Sequence, residues 1–265
     1  MHYFSISKKL IPRSLFILLF GNRAKFGKIP IQNDQDWANW EKIGASFYSE
    51  SQKVGIGSVI NNAGYRNLKS INLKDKNILE IGPGDIVHQK YWKSKPRTFT
   101  IIDVDTSMAA LAKNKLQAQG IQPKIHIVSR NSFLPIKDES IDAVLSFYSL
   151  EHIFELEKYL KDISRVLKPS GILIGAIPAE GGVAWGFGRM ITTQRWLRKK
   201  YGLNLNKIIC WEHPNFAREI VELLDKNFNR ITLKAWPMPI IPLIDLNLII
   251  KFTYAKKIIT DHTKL

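Results

Sequence analysis

A single cysteine, Cys210, is all the thiol chemistry this chain has. One thiol cannot build an internal disulfide framework or a multi-cysteine zinc site, and it fits a reducing cytosol. Acidic residues are also scarce: 23 Asp and Glu stand against 39 Lys and Arg, for a net charge of +16. That excess favours anionic partners such as acidic lipid headgroups, phosphorylated intermediates or nucleic acid, although a generally basic surface gives the same sum. Nucleic acid is the least favoured of these, because the chain has no dense Lys/Arg arm, no recognition helix and no aromatic RNA-binding motif. Long hydrophobic runs are missing too. The longest near the N-terminus, Leu15 to Phe20, falls far short of the about 20 apolar residues that a spanning helix needs. No internal repeat, no low-complexity segment and no metal-ligand spacing is visible, so no metal is expected.

What remains is a chain of 265 residues, 45% of them apolar, enough for one α/β domain with additions and a sizeable core. Its first 30 or so residues differ from the rest. Lys8, Lys9 and Arg13 precede the apolar run and Arg23, Lys25 and Lys28 follow it. That pattern suits a helix lying in a membrane surface, and equally a helix packed on the domain. A signal peptide would match in charge and length, but Gly21-Asn22-Arg23 is a poor cleavage site. Residues 34–66 read as largely helical, with Trp37, Trp40, Ile43 and Phe47 on one face. Residues 1–70 are therefore expected to form a helical extension or cap, with 71–265 as the main domain.

From Asn77 onward, strand and helix patterns alternate. Strands are predicted at 77–81, 99–103, 124–128, 141–146 and 172–177, with helices after Asp85, at 107–119 and at 155–168. The last of these carries Leu156, Leu160, Ile163 and Leu167 on one stripe and is ended by Pro169-Ser170-Gly171. An irregular, glycine-bearing stretch and a basic helix-like segment fill 179–213, read as an insertion on the substrate side. A helix at 214–228 and two strands, 230–236 and 246–254, close the chain as a hairpin-like pair at the sheet edge. Alternation of this kind gives a Rossmann-like, doubly wound, mostly parallel sheet with an antiparallel edge strand, preceded by N-terminal helices.

In an open parallel sheet the ligand sits beyond the C-terminal strand ends. The first strand runs Asn77-Ile78-Leu79-Glu80-Ile81 and breaks at Gly82-Pro83-Gly84, where a glycine turn lets the backbone approach a bound group. Asp103 ends the second strand about 20 residues beyond that turn, placed to accept hydrogen bonds from ribose hydroxyls. Asp105 is a rival, with helix capping as its commoner role. A nucleoside-containing ligand follows. The dinucleotide fingerprint requires a third glycine, and Val87 stands in its place.

The chain resembles the class I S-adenosylmethionine-dependent methyltransferases, nearest to the branch acting on small molecules, quinones, lipids and sugars. The likeness rests on L-E-I-G-P-G (79–84), I-I-D-V-D-T-S-M (101–108), L-P-I-K-D-E-S-I-D-A-V-L-S (134–146), S-L-E-H-I (149–153) and R-V-L-K-P-S-G (165–171). It implies S-adenosyl-L-methionine as cofactor, with Glu80, Gly82 and Gly84 at its methionine end, Asp103 on the ribose, Asn131 to Leu134 beside adenine with Asn131 reaching its amino group, and Ser146 and Phe147 at the end of strand four. Two residues depart from the family: Ile86, where many members carry a third glycine, and Ser170, in the turn before strand five. His152 is the candidate catalytic base for a hydroxyl acceptor, set against a role in fixing the loop; His213 and Glu180 are weaker candidates.

Acceptor choice falls to the N-terminal helices and to residues 179–213, where Trp37, Trp40, Trp185, Phe187, Arg189, Arg195 and Trp196 suit an apolar or phosphorylated acceptor, or else serve as core and solvated surface. The expected function is methyl transfer to a small-molecule, lipid-linked or glycan acceptor by a cytoplasmic enzyme, with peripheral membrane contact through residues 1–30. An RNA methyltransferase and a non-catalytic scaffold of the same fold are the alternatives. The first lacks an Asn/Asp-Pro-Pro-Tyr motif, and the second sits badly with an intact cofactor signature.

Overall fold

The computed structural model describes residues 3–6, 11–47, 55–129 and 132–258. Its centre is a seven-stranded sheet of β1 (Asn77–Ile81), β2 (Thr98–Asp103), β3 (Lys124–Ile127), β4 (Ile141–Phe147), β5 (Leu167–Pro178), β6 (Phe228–Trp236) and β7 (Ile249–Lys256). The spatial order is β3-β2-β1-β4-β5-β7-β6. The first five strands pair in parallel. β7 runs antiparallel between β5 and the edge strand β6. The order reverses at β1, so the crevice between the ends of β1 and β4 is the switch point where such sheets bind ligands.

The apolar runs explain the layers. β1, β2 and β4 are buried on both faces, as strands covered by helices on each side must be. One face packs on α6 (Leu156–Val166) and α10 (Ala217–Asn227). The other packs on α4 (Gly55–Tyr65), α5 (Thr106–Gln117) and the 3-10 turns Arg66–Ser70 and Val87–Tyr91. Leu156, Leu160 and Ile163 point inward from α6 as the stripe predicts, but Leu167 already opens β5. The helix stops there because Pro169 cannot continue it. The following residues up to Gly171 are absorbed by a register shift between β4 and β5.

Residues 179–213 are helical where the sequence reads as irregular. α7 (Val183–Arg189) runs through a π-turn, Met190–Gln194, into α8 (Arg195–Tyr201), and α9 (Leu205–Glu212) follows. Gly182 and Gly186 there mark close packing: a Cβ would lie 2.6 Å from Ile244 O and 2.8 Å from the Phe20 ring. A third, smaller core lies among α3 (Gln35–Phe47), α8 and α9, and it takes up Trp37, Trp40, Leu197, Ile208 and Trp211.

The N-terminal segment divides between these cores. α4 joins the sheet: Tyr65 and Leu68 share a cluster with Ile78 and Phe147. α1 (Arg13–Phe20) packs against α7 and α9, with Leu19 and Phe20 fully buried. The chain turns at Gly21 with φ 78, where a Cβ would strike Asn206 O and Cys210 Sγ, so only glycine fits. α2 (Arg23–Phe26) then places Arg23, which donates to Pro214 O and His213 O at 2.7 Å each. α3 is capped by Asp34, which accepts from Trp37 N (3.1 Å) and is held by Lys207 of α9 at 2.7 Å. Lys8 and Lys9 lie outside the described residues.

Candidate active site

A cavity of about 280 Å³ opens beyond the C-terminal ends of β1, β2 and β4. Gly82 and Gly84 form its floor at φ 58 and 56, both in the left-handed region. Gly82 N donates to Ile102 O (2.8 Å), and a Cβ there would lie 2.9 Å from Ser149 Oγ. The turn therefore needs glycine both for its backbone and for its space. Ser149 Oγ donates to Ile81 O (2.8 Å), tying the end of β4 to the end of β1.

Asp103 lines the cavity from the end of β2, with its Oδ1 accepting from Asp105 N (2.9 Å). Burial pushes its carboxyl up to about 6; N–H donors from Asp105 and Val104 oppose, and the charges of Asp105 and Glu80 add. Asp105 caps α5 by accepting from Ser107 N and Met108 N, while its residue also borders the cavity.

Glu80, Ser146 and Phe147 do not reach the cavity wall. Glu80 is fully buried, with Oε1 2.6 Å from His88 Nε2. Trp92 Nε1 donates to His88 Nδ1 (3.1 Å), so the ring proton sits on Nε2 and is donated to Glu80. Glu80 Oε2 and Ser146 Oγ are buried without a partner among the described residues. Phe147 packs on Tyr65 at 5.4 Å and on His88 at 5.5 Å, inside the core. Asn131 lies outside the described residues; Val128 and Ser129, just before it, line the cavity. The loop beyond is fixed by Arg165, which donates to Leu134 O and Ile136 O at 2.9 Å each.

Tyr148 and Ser149 take the lining position that the sequence pattern assigns to Ser146 and Phe147. Tyr148 adopts φ 58, uncommon for a bulky residue, and its hydroxyl donates to Asn61 O (3.0 Å) within α4. Ile86 is likewise left-handed, at φ 50 and ψ 52, and buried. Isoleucine there adopts the backbone that the family's glycine would adopt freely.

At the far side stand His152, from the 3-10 turn Leu150–His152 after β4, and Glu212, from the end of α9. His152 Nδ1 lies 2.7 Å from Glu212 O. A carbonyl only accepts, so Nδ1 carries a proton. His213 stacks edge-on against His152 at 4.8 Å, and its Nδ1 meets Glu180 Oε2 at 2.9 Å. Burial alone would raise the Glu180 carboxyl, but Arg189 and His213 outweigh it and hold it down to about 2. Burial alone would lower His213, and the Glu180 hydrogen bond and charge raise it instead. Burial lifts the Glu151 carboxyl to about 7 against the opposing charge of His213.

Glu212 was invisible to sequence reasoning, because it meets His152 only through the docking of α9. Spacing likewise hides the grouping of His152, Glu212 and His213, whose ligand atoms lie within 4.8 Å of one another. The aromatic and arginine residues assigned to acceptor choice are mostly structural. Trp37 and Trp40 are buried, and Trp185 Nε1 and Arg189 Nη1 both donate to Glu180 Oε2 at 2.7 Å. Arg195 and Phe187 remain exposed, and the Trp196 side chain lies outside the described residues.

Comparison with known proteins agrees with this geometry. Residues 79–175 match the family model described as methyltransferase domain. Over residues 79–175 the chain is similar to the S-adenosylmethionine-dependent methyltransferases. Among curated relatives, the ubiquinone/menaquinone biosynthesis C-methyltransferase UbiE of Bartonella tribocorum is 32% identical over 92 residues, covering 34% of this chain and 35% of the relative. The chain thus matches about a third of that relative's length. Two solved structures share the fold. One is the N-methyltransferase NodS of Bradyrhizobium japonicum with S-adenosyl-l-homocysteine (TM-score 0.54, 14% identity, 85% of this chain and 100% of that one). The other is a putative S-adenosylmethionine-dependent methyltransferase of Listeria monocytogenes (TM-score 0.53, 16% identity, 76% of this chain and 100% of that one). Such a domain implies S-adenosylmethionine as cofactor, and the residues present fit it: a left-handed glycine turn at Gly82 and Gly84, and a buried carboxylate at the end of β2, line the same cavity.

Proposed function

We propose that this protein transfers a methyl group from S-adenosylmethionine to a small acceptor of the quinone, lipid-linked or glycan class, working from the cytosol at a membrane surface. One observation carries the reading: the cavity that begins at Gly82, Gly84 and Asp103 ends at His152 and Glu212. When bound, the cofactor supplies an activated methyl group on a sulfonium sulfur. In-line displacement needs alignment and exclusion of water more than covalent help. Gly82 and Gly84 would cradle the methionine end, and Asp103 would accept from the ribose hydroxyls. His152 stands at the acceptor end as the candidate catalytic residue. The similarity to a quinone C-methyltransferase supports an acceptor of that chemical type.

Incubation with methyl-labelled cofactor and a membrane extract tests this, with label counted in lipid, glycan and RNA fractions. Label should enter the lipid or glycan fraction. Label in RNA alone, or cofactor binding by calorimetry without transfer to any fraction, would overturn the acceptor class. Absence of cofactor binding would overturn the enzyme itself.

A further inference from the structure

Large apolar side chains stand in solvent at the connection between β6 and β7. Ile240 is 82% exposed, and Met238, Ile241, Leu246 and the neighbouring Phe4 are exposed as well. Their backbone is held in place from inside. Asn247, fully buried, accepts from Met238 N through Oδ1 (2.8 Å) and donates to Leu243 O through Nδ2 (2.9 Å). Phe4 N donates to Pro242 O (3.0 Å) and Ile244 N to Phe4 O (2.9 Å), which ties Phe4 to the same connection. A buried amide thus holds grouped apolar residues out in water, and a patch of that kind marks a contact surface.

Behind this patch the surface turns basic. Lys234, two residues before the end of β6, lies directly opposite Lys251, two residues into β7. Arg66 joins them, because Asn67 donates to Phe252 O (2.8 Å) and Gly175 O (3.2 Å) and so seats the 3-10 turn Arg66–Ser70 on the sheet. Like charges placed opposite in a sheet repel. Burial, and then the charges of Lys234 and Arg66, hold the Lys251 ammonium below its usual value. None of the three has a carboxylate partner among the described residues. Such a trio attracts an anion. Trp236, half-buried and opposite Ile249, stands between the trio and the apolar patch. Two strand residues span about 7 Å, which matches a headgroup layer of about 5–8 Å on each side of a bilayer. Apolar tip, then indole, then cations is the order in which a protein surface meets a membrane.

β5 and β6 both run antiparallel to β7, so β6 ends on the edge of the sheet where β1 and β4 end and the cavity opens. Five apolar side chains are few for a protein partner, whose standard interface takes about 20–30 residues a side. We propose that residues 237–246 and Phe4 form a membrane-docking tip, whose apolar side chains enter the headgroup region of an anionic bilayer while Arg66, Lys234 and Lys251 bind its phosphates. An apolar insertion and a cationic patch are each weak alone and hold together. Docking in this way puts the cavity mouth on the membrane side of the molecule. The tip rests on the reading of work at a membrane surface and gives that reading its face; the methyl transfer itself does not enter it.

The test uses the full chain with a single environment-sensitive NBD label. Ile240→Cys places it on the tip, and Lys124→Cys, exposed at the start of β3 on the opposite edge, is the control. Cys210 is buried and stays unlabelled, which treatment of the parent chain verifies. On phosphatidylglycerol vesicles the label at 240 should shift to the blue and be quenched by nitroxide lipids, while the label at 124 stays in water. Binding to phosphatidylcholine vesicles should be at least about tenfold weaker. Arg66→Glu with Lys234→Glu should weaken binding to phosphatidylglycerol at least about tenfold, at an unchanged melting temperature because both side chains are exposed. A label at 240 that stays in water on vesicle-bound protein, or binding unchanged by the charge reversal, overturns the tip. A label already blue without lipid, and bluer as protein concentration rises, assigns the patch to a second copy of the chain and overturns it too. No vesicle binding at all removes both the tip and the work at a membrane surface, and the labelled-cofactor experiment then decides methyl transfer separately.

Discussion

Asp103 is the residue where charge, burial and ligand chemistry meet. Its carboxyl titrates at about 6 because burial disfavours the charged form, while the unfolded chain titrates near 3.8. The folded protein therefore holds this proton between those values. The contribution to stability is complete below about pH 3.8 and is lost as pH rises through about 6. Cofactor binding runs the other way, since a ribose hydroxyl donates best to the ionised form. Adenosylmethionine affinity should be roughly tenfold lower near pH 5 than at pH 7 and above, with the midpoint near 6, and Asp103→Asn should flatten that step. Calorimetric titration across the range checks it; an unchanged step in the variant would assign it to another group. Ile86 allows a second residue-level prediction. Its left-handed backbone costs about 1–2 kcal/mol for a residue with a Cβ, while its buried side chain contributes about 2–5 kcal/mol. Ile86→Gly should thus lose only about 1–3 kcal/mol and be at least as stable as Ile86→Ala, reversing the usual order. Urea denaturation of the pair decides this, and an alanine variant clearly more stable than the glycine one would refute the strain. The sequence marks Ile86 as out of place, and it marks Gly82 and Asp103 by spacing. It could not show that Tyr148 and Ser149, rather than Ser146 and Phe147, face the cavity, because that depends on the left-handed turn at Tyr148 just past β4.

At the scale of elements, local pattern made the parallel half of the sheet legible. β1 to β5 and α6 follow from apolar runs, proline and glycine stops and one clean stripe. Residues 179–213 were not legible, because some of the glycines that read as loop are there to admit neighbours. Gly186 is the example: a Cβ would lie 2.8 Å from the Phe20 ring, so α7 lies flush on α1. What joins these helices is also nonlocal. Glu180 Oε2 accepts from Trp185, Arg189 and His213, Arg189 donates on to Leu19 O (2.6 Å), and Arg23 sits 3.9 Å over the Phe216 ring. One buried carboxylate thereby ties α7 to α1 and to the turn after α9. Glu180→Gln would leave Arg189 and Arg23 buried without a countercharge, at an expected loss of about 3–5 kcal/mol in stability. Chemical denaturation followed by far-UV circular dichroism measures it. A loss below about 1 kcal/mol would mean that water or other acceptors already satisfy the arginines.

On the scale of the molecule, the net charge of +16 and the position of the N-terminal segment bear on membrane contact. No described helix is long and apolar enough to cross a membrane. α1 is also not a loose surface helix, since Leu19 and Phe20 are fully buried and Arg23 is spent on carbonyls of the turn after α9. Deleting residues 1–30 would therefore strip core packing and confuse any binding assay. The exposed large apolar groups among the described residues of this region are Phe4, Leu18, Ile29 and Ile31, and Lys25 and Lys28 are near the last three in sequence. The Lys28–Glu219 pair is exposed on both sides and holds little energy against solvent, so Lys28 stays available to an anionic surface. Isoleucines that enter the headgroup region beside lysines attracted to acidic lipids would give weak, salt-sensitive attachment. The full chain should float with vesicles containing phosphatidylserine or phosphatidylglycerol, much less with neutral phosphatidylcholine, and detach as salt shortens the Debye length toward about 3 Å near 1 M. Ile29→Asp with Ile31→Asp should release it without a change in melting temperature, because both residues stand in solvent. Flotation that is equal on neutral vesicles, or that survives the double substitution, would remove this segment from membrane contact.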